Sequence, residues 1–199
     1  MKITLPSSLG LLLLAACASA PAPASGPTVE RTDAALDLSG EWNDTDADQV
    51  AQAVIEDCLS APWIGEWTLA HGKKPVVRLY PVRNKTDAYI DYRYFTKQIE
   101  AALIRSNRVD VVSSLEEAAD NRDERADQAT HAGDESAKSQ GQELASDFLL
   151  NGWILASDDR ASGKLLRAYL TSVEIVETQN NKKAWVGQKR IKKLITSAP

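Results

Sequence analysis

Three runs rich in β-branched, aromatic and leucine residues close the chain, at residues 148–156, 165–176 and 184–195, and they restrict its fold more than anything before them. Asp158 and Asp159 with Gly163 separate the first two runs, and Asn180 and Asn181 separate the last two. Breaks of that length and composition are hairpin signals, so the runs predict an antiparallel meander. A sheet must bury one face, and the partners for it lie upstream.

Pro75 opens Val76-Val77-Arg78-Leu79-Tyr80-Pro81-Val82, a β-branched run that Asn84, Lys85, Thr86 and Asp87 end. It predicts a strand with an edge position or a bulge near Pro81, which has no N–H for a ladder. Phe95, Ile99, Ala102 and Leu103 predict a helix over residues 92–106, and residues 109–113 predict a second strand. Strand, helix and strand at this spacing predict a right-handed parallel crossover. Further upstream, Ala47, Val50, Ala51, Val54, Ile55 and Cys58 recur at helical spacing until Pro62, behind Thr45 and Asp48, a pair with the form of a capping box. A short helical turn should then carry Trp63, Trp67 and Ala70 on one face and end at Gly72. Ser114 and Glu117 repeat the capping-box form, and Leu115, Ala118, Ala119, Ala126 and Ala129 draw a thin apolar stripe through a charged helix. So thin a stripe buries little, and the helix should lie on the surface. Residues 130–134 break it, and residues 135–145 predict a further helix. The fold class is therefore α/β: a single domain with a small mixed sheet, a parallel strand-helix-strand plus a C-terminal antiparallel meander, flanked by helices.

The other end of the chain is of a different kind. Lys2 precedes an apolar run from Leu9 that is too short to span a bilayer and closes in Leu14-Ala15-Ala16-Cys17. This stretch resembles a bacterial lipobox, which implies a signal peptide over residues 1–16, cleavage before Cys17, and lipid on the Cys17 thiol and new amino group. Ala18 follows, not the aspartate of an inner-membrane retention signal, so the resemblance implies the outer membrane, with the chain facing the periplasm. Each buried acyl CH2 contributes about 0.8 kcal/mol, so two or three chains anchor effectively for good. Pro21, Pro23 and Pro27 among Ala, Ser and Thr make residues 17–40 a flexible tether, with the domain at residues 41–199. Cys58 is then the one thiol left, an intramolecular disulfide is impossible, and its helical apolar setting predicts a buried, inert group.

Chemistry is sparse. Loss of residues 1–16 removes one of 23 basic residues and leaves 22 against 28 acidic ones, a net charge of -6 that argues against a nucleic-acid binder. His71 and His131 fall in predicted breaks without ligand-spaced neighbours, so no metal is expected. No glycine-rich phosphate cradle or nucleophile elbow is present, so no catalytic residue, cofactor or small-molecule substrate is expected. Asp158-Asp159 and Glu116-Glu117 read as turn and helix-surface carboxylates rather than an acid–base pair. Lys182, Lys183, Lys189, Arg190, Lys192 and Lys193 crowd the last run with no acid after Glu177. They either guard a sheet edge or form a docking patch for an acidic partner. The five tryptophans, Trp42, Trp63, Trp67, Trp153 and Trp185, are expected mostly in the core.

Beyond these readings, Ser39-Gly40-Glu41-Trp42-Asn43-Asp44-Thr45-Asp46, Asp57-Cys58-Leu59, Pro62-Trp63, Lys74-Pro75-Val76-Val77, Val82-Arg83-Asn84 and Ala184-Trp185-Val186-Gly187-Gln188 resemble, in order and spacing, the LpoB-type penicillin-binding-protein activators. The resemblance spans residues 38–195. It implies an outer-membrane lipoprotein whose periplasmic domain, similar to the TolB amino-terminal domain, contacts a bifunctional penicillin-binding protein and stimulates peptidoglycan synthesis without catalysing it. The alternative is a lipoprotein component of an outer-membrane assembly or secretion complex related to curli-pore and TolB modules.

Overall fold

The computed structural model describes Thr32 and residues 39–196, so the signal, Cys17 and most of the tether lie outside the described residues. Among the described residues the order is α1 (Asp44–Ser60), α2 (Trp63–His71), β1 (Val76–Leu79), β2 (Arg83–Asn84), α3 (Tyr92–Ser106), β3 (Asp110–Val112), α4 (Leu115–His131), β4 (Phe148–Ala161), β5 (Lys164–Glu177) and β6 (Lys183–Thr196). One mixed sheet runs β3-β1-β4-β5-β6, with β2 paired to β4. The β1–β3, β1–β4 and β2–β4 pairs are parallel and the two C-terminal pairs antiparallel, so the expected fold class stands.

Local chemistry explains most of the boundaries. Helix α3 buries Phe95, Ile99 and Leu103, one residue per turn, and starts where Asp91 accepts a hydrogen bond from the Arg93 N–H. Pro81 ends β1: three residues, Tyr80 to Val82, face two on β4 before pairing resumes at Arg83↔Trp153, the bulge that Pro81 predicts. Helix α1 is capped differently from expectation. Asn43, not Thr45, is its N-cap, and the reciprocal bonds run between Asn43 and Asp46. In α2 the buried face is Trp63 and Ile64 with Trp67 half-buried, and Ala70 is exposed; Gly72 ends it in the left-handed conformation (φ 67°).

The last hairpins are longer than the sequence suggests. Asp158 and Asp159 lie within β4, not in a turn, because Arg167 directly across on β5 pairs with Asp158. The turn is the two-residue Ser162-Gly163, whose φ values of 49° and 73° are those of the hairpin turn matched to strand twist. Residues 132–147 form no helix; Leu144 is 61% exposed, and Glu143 is drawn to arginines on α4. His71 and His131 are the last residues of α2 and α4 rather than parts of breaks.

Alternation along the strands sorts the sheet into two faces. The inner one holds Leu150 and Ile154 of β4, Tyr169, Val173 and Ile175 of β5, and Trp185 of β6, all buried with α1, α2 and α3 residues in one core. Helix α1 packs on β6 and on α3. Two glycines permit close approaches. A Cβ on Gly152 would stand 2.5 Å from the Ser172 carbonyl oxygen, and one on Gly187 would stand 2.2 Å from the Trp185 ring. Gly187 thus makes room for the indole, which donates to Asp57 Oδ2 at 3.0 Å.

Candidate functional surface

The residues weighed above for chemistry occupy structural or solvent-facing positions. Cys58 is buried, and desolvation pushes its thiol up to about 12, so it carries almost no nucleophilic thiolate at neutral pH. His71 stacks on Trp67 with ring centroids 3.6 Å apart, and His131 sits exposed beside Asp127. Glu117 caps α4 through Ser114 and meets Lys97 at 2.5 Å, which holds its carboxyl below the usual range, while Glu116 is exposed. Among the described residues no group of three or more His, Cys, Asp or Glu could hold a metal ion.

A charged joint does form where residues 39–43 cross the end of β5 and β6. Arg167, 7% exposed, grips Asp158 with two hydrogen bonds (2.7 and 2.9 Å) and Glu41 with a third (2.8 Å). The Tyr169 hydroxyl donates to Glu41 at 3.3 Å, and the Trp42 ring meets the Tyr169 ring edge-on at 5.5 Å. Hydrogen bonding to Arg167 lowers the Asp158 carboxyl, and burial raises the Tyr169 hydroxyl. Beside it, Lys193 Nζ stands 2.6 Å from Asp46, both side chains nearly buried, and donates to the Glu41 carbonyl. Sequence reasoning offered no signal for Glu41–Arg167, whose partners are 126 residues apart.

The lysine-rich strand therefore does two jobs. As an edge strand, β6 keeps the predicted guard, but its cations alternate between faces. Lys193 points inward to Asp46, and Lys183 meets the buried Glu174 at 2.6 Å. Arg190 and Lys192 are exposed on the outer face without an acidic partner among the described residues. Around them the outer face is apolar: Leu155 of β4, Leu166 and Leu170 of β5, and Val186 and Leu194 of β6, with Trp153 half-buried across from Ser172. Leu155, Val186 and Leu194 are 43%, 46% and 63% exposed. Exposed and half-buried leucines with cations between them, Leu155 and Leu170 beside Arg190 and Leu166 and Leu194 beside Lys192, are the make-up of a protein-docking surface.

Comparison with known proteins matches residues 46–191 to the family model of the peptidoglycan-synthase activator LpoB. The chain belongs to that family. A structural comparison finds similarity to the LpoB C-terminal domain from Salmonella enterica (13% identity, TM-score 0.44, covering 74% of this chain and 99% of that one). It also finds similarity to the LpoB C-terminal domain from Escherichia coli (15% identity, TM-score 0.40, covering 72% and 98%) and to lipoprotein GNA1162 from Neisseria meningitidis (12% identity, TM-score 0.37, covering 63% and 87%). A comparison with curated protein sequences returns no match. The stretches that resemble the LpoB family coincide with the joints of the fold. Asn43 caps α1, Asp57 holds Trp185, the Trp63 indole donates to the Cys58 carbonyl at 3.1 Å, and Val82 binds Thr96 at 3.1 Å.

Proposed function

We propose that this protein is an outer-membrane lipoprotein, anchored through Cys17, whose domain binds a bifunctional penicillin-binding protein in the periplasm and raises its peptidoglycan synthesis without catalysing any step. The observation that carries this is the match of residues 46–191 to the activator family. The outer face of β4, β5 and β6 is the docking surface: Arg190 and Lys192 beside Leu155 and Leu194 suit an apolar patch rimmed by acids on the synthase. Activation without chemistry requires tighter binding to the synthase's active conformation than to its resting one; a threefold difference shifts that equilibrium by about 0.65 kcal/mol. Residues 17–40 are the tether; with Gly40 packed against Ile195, the 21 residues from 18 to 38 reach at most about 75 Å.

The test uses the full chain with Cys17→Ala and a purified bifunctional synthase from the same source. Saturable binding and faster glycan polymerisation are expected; no binding and no stimulation would refute the activator reading. In cells, Cys17→Ala should release the protein from the membrane fraction, and continued membrane association would refute the anchor.

A further inference from the structure

The outer face carries a second feature, on the side away from β6. Arg78 of β1 is mostly covered, and its Nε is buried without a hydrogen-bond partner among the described residues. Inward-facing Val77 and Leu79 on either side of it are core residues, so packing does not require a cation at this position. A buried guanidinium N–H lacking a partner is costly, and an anion that reaches the Nε side of the fork is the usual remedy. Arg78 lines a cavity of about 240 Å³ with Ser113 after β3, Asn121 and Arg125 of α4, and Glu143 and Leu144 of the following segment. Ala118, Asn121 and Arg125 recur at helical spacing, which aims this face of α4 at the sheet.

One carboxylate already shows what these arginines accept. Glu143 takes hydrogen bonds from Arg122 at 2.9 and 2.7 Å, through both of its oxygens, and another from Arg125. A neighbouring cavity of about 340 Å³ shares Arg125 and Glu143 and adds Arg122 and Gly141, so Glu143 stands between the two spaces. Three guanidiniums face a single acid here, and Arg78 is the one it does not reach. The size admits a side-chain carboxylate, the fork of an arginine favours its two oxygens, and Leu144, largely exposed beside the cavity, offers apolar contact for the rest of a peptide.

We infer that the cavity between β1, β3 and α4 is a binding site for an acidic side chain of a peptide, gripped by Arg78 and Arg125, with Glu143 the internal carboxylate that competes for Arg125. The site lies apart from the β4–β6 docking face and stands whether or not that face binds a synthase.

The experiment titrates the full chain carrying Cys17→Ala, labelled with nitrogen-15, and follows arginine side-chain Nε signals; loss of one signal in Arg78→Lys assigns Arg78. The probes are a capped Gly-Glu-Gly peptide, its Gly-Gln-Gly counterpart and inorganic phosphate. The glutamate peptide should shift the Arg78 signal saturably and the glutamine peptide should not. Glu143→Gln, freed of its competitor, should bind about tenfold more tightly. Arg78→Lys should weaken binding while the fold is kept, and if that variant fails to fold, the Glu143→Gln titration decides alone. No saturable shift in Glu143→Gln, equal responses to the two peptides, or saturation by phosphate alone would overturn the proposal.

Discussion

Lys192 and Lys193 are neighbours of one residue type, yet the two faces of β6 give them opposite roles. The ammonium of Lys193 is 2.6 Å from the Asp46 carboxylate, with side-chain exposures of 9% and 5%. At that distance the gross attraction is about 6 kcal/mol for an effective dielectric of about 20, and desolvation of both ions offsets much of it. Removing one partner exposes the asymmetry, because the other stays buried and charged. Lys193→Met keeps the aliphatic stem but leaves the Asp46 carboxylate buried and charged beside the neutral Asn43 N–H, at a cost of about 3–5 kcal/mol. For a chain of this size each kcal/mol moves the melting temperature by about 2–4 °C, so Tm should fall by about 6–20 °C. Lys192→Met, exposed on the other face, should stay within about 0.5 kcal/mol of the parent. Adding Asp46→Asn to Lys193→Met should restore part of the loss, since it removes the stranded charge. The assay is thermal and urea unfolding of the four proteins. A Lys193→Met cost under about 1 kcal/mol, or one equal to that of Lys192→Met, would refute the assignment of Lys193 to a buried pair.

Charge reversal at Arg190 and Lys192 together should leave the urea midpoint unchanged while weakening synthase binding at least about tenfold, as reversed rim charges do; unchanged binding in a pull-down titration would remove the outer face from consideration. Cys58 should resist a thiol reagent at pH 8 in the native protein and react at the rate of global unfolding in denaturant, and prompt native labelling would contradict its burial. Acid should destabilise the domain: Asp158, Glu117 and Glu143 are held below ordinary carboxylate values chiefly by hydrogen bonds from Arg167, Lys97 and Arg122 respectively. Because their folded values lie below their unfolded ones, the stability they contribute is complete above about pH 5 and is lost as pH falls through about 4 and below. A urea midpoint that holds steady or rises from pH 6 to pH 3 would contradict these pairings.

The elements set by apolar period were legible in the sequence. Helix α3 begins and ends at the residues its Phe95–Ile99–Leu103 repeat predicts, and the three C-terminal runs become β4, β5 and β6. Failures occur where a distant partner overrides a local pattern. Asp158 and Asp159 look like turn residues until Arg167 is placed opposite. Residues 135–145 have helix formers but almost no apolar face, and Glu143 is spent on α4. The Asn43 cap and the Thr45–Asp48 pattern are equally good locally; the Asn43 cap is the one formed, directly after Trp42 packs on Tyr169. The burial of Lys193 was readable after all, because it shares parity with Trp185, Ile191 and Ile195, whereas Arg190 and Lys192 fall on the parity of Val186 and Leu194. Arg78 gave no such signal: a cation inside a β-branched run reads as solvent-facing until α4 is laid over it.

The same two-sidedness bears on how a tethered activator would work. Residues 39–43 enter the domain on the inner side of the meander. There Glu41 is held by Arg167 and Tyr169, the Glu41 carbonyl by Lys193, Trp42 by Tyr169, and Gly40 lies so close to Ile195 that a Cβ would stand 1.9 Å from its side chain. These contacts hold residues 39–43 on the face of the meander opposite Arg190, Lys192 and Leu194. The interactions that hold the entry segment are charge-assisted bonds to two mostly buried cations, each stronger than a neutral hydrogen bond. The entry segment is therefore held by side chains of β5 and β6, directly upstream of the capped start of α1. The two faces of one hairpin thus carry different contacts: the inner one holds residues 39–43, and the outer one leaves Arg190, Lys192 and Leu194 exposed.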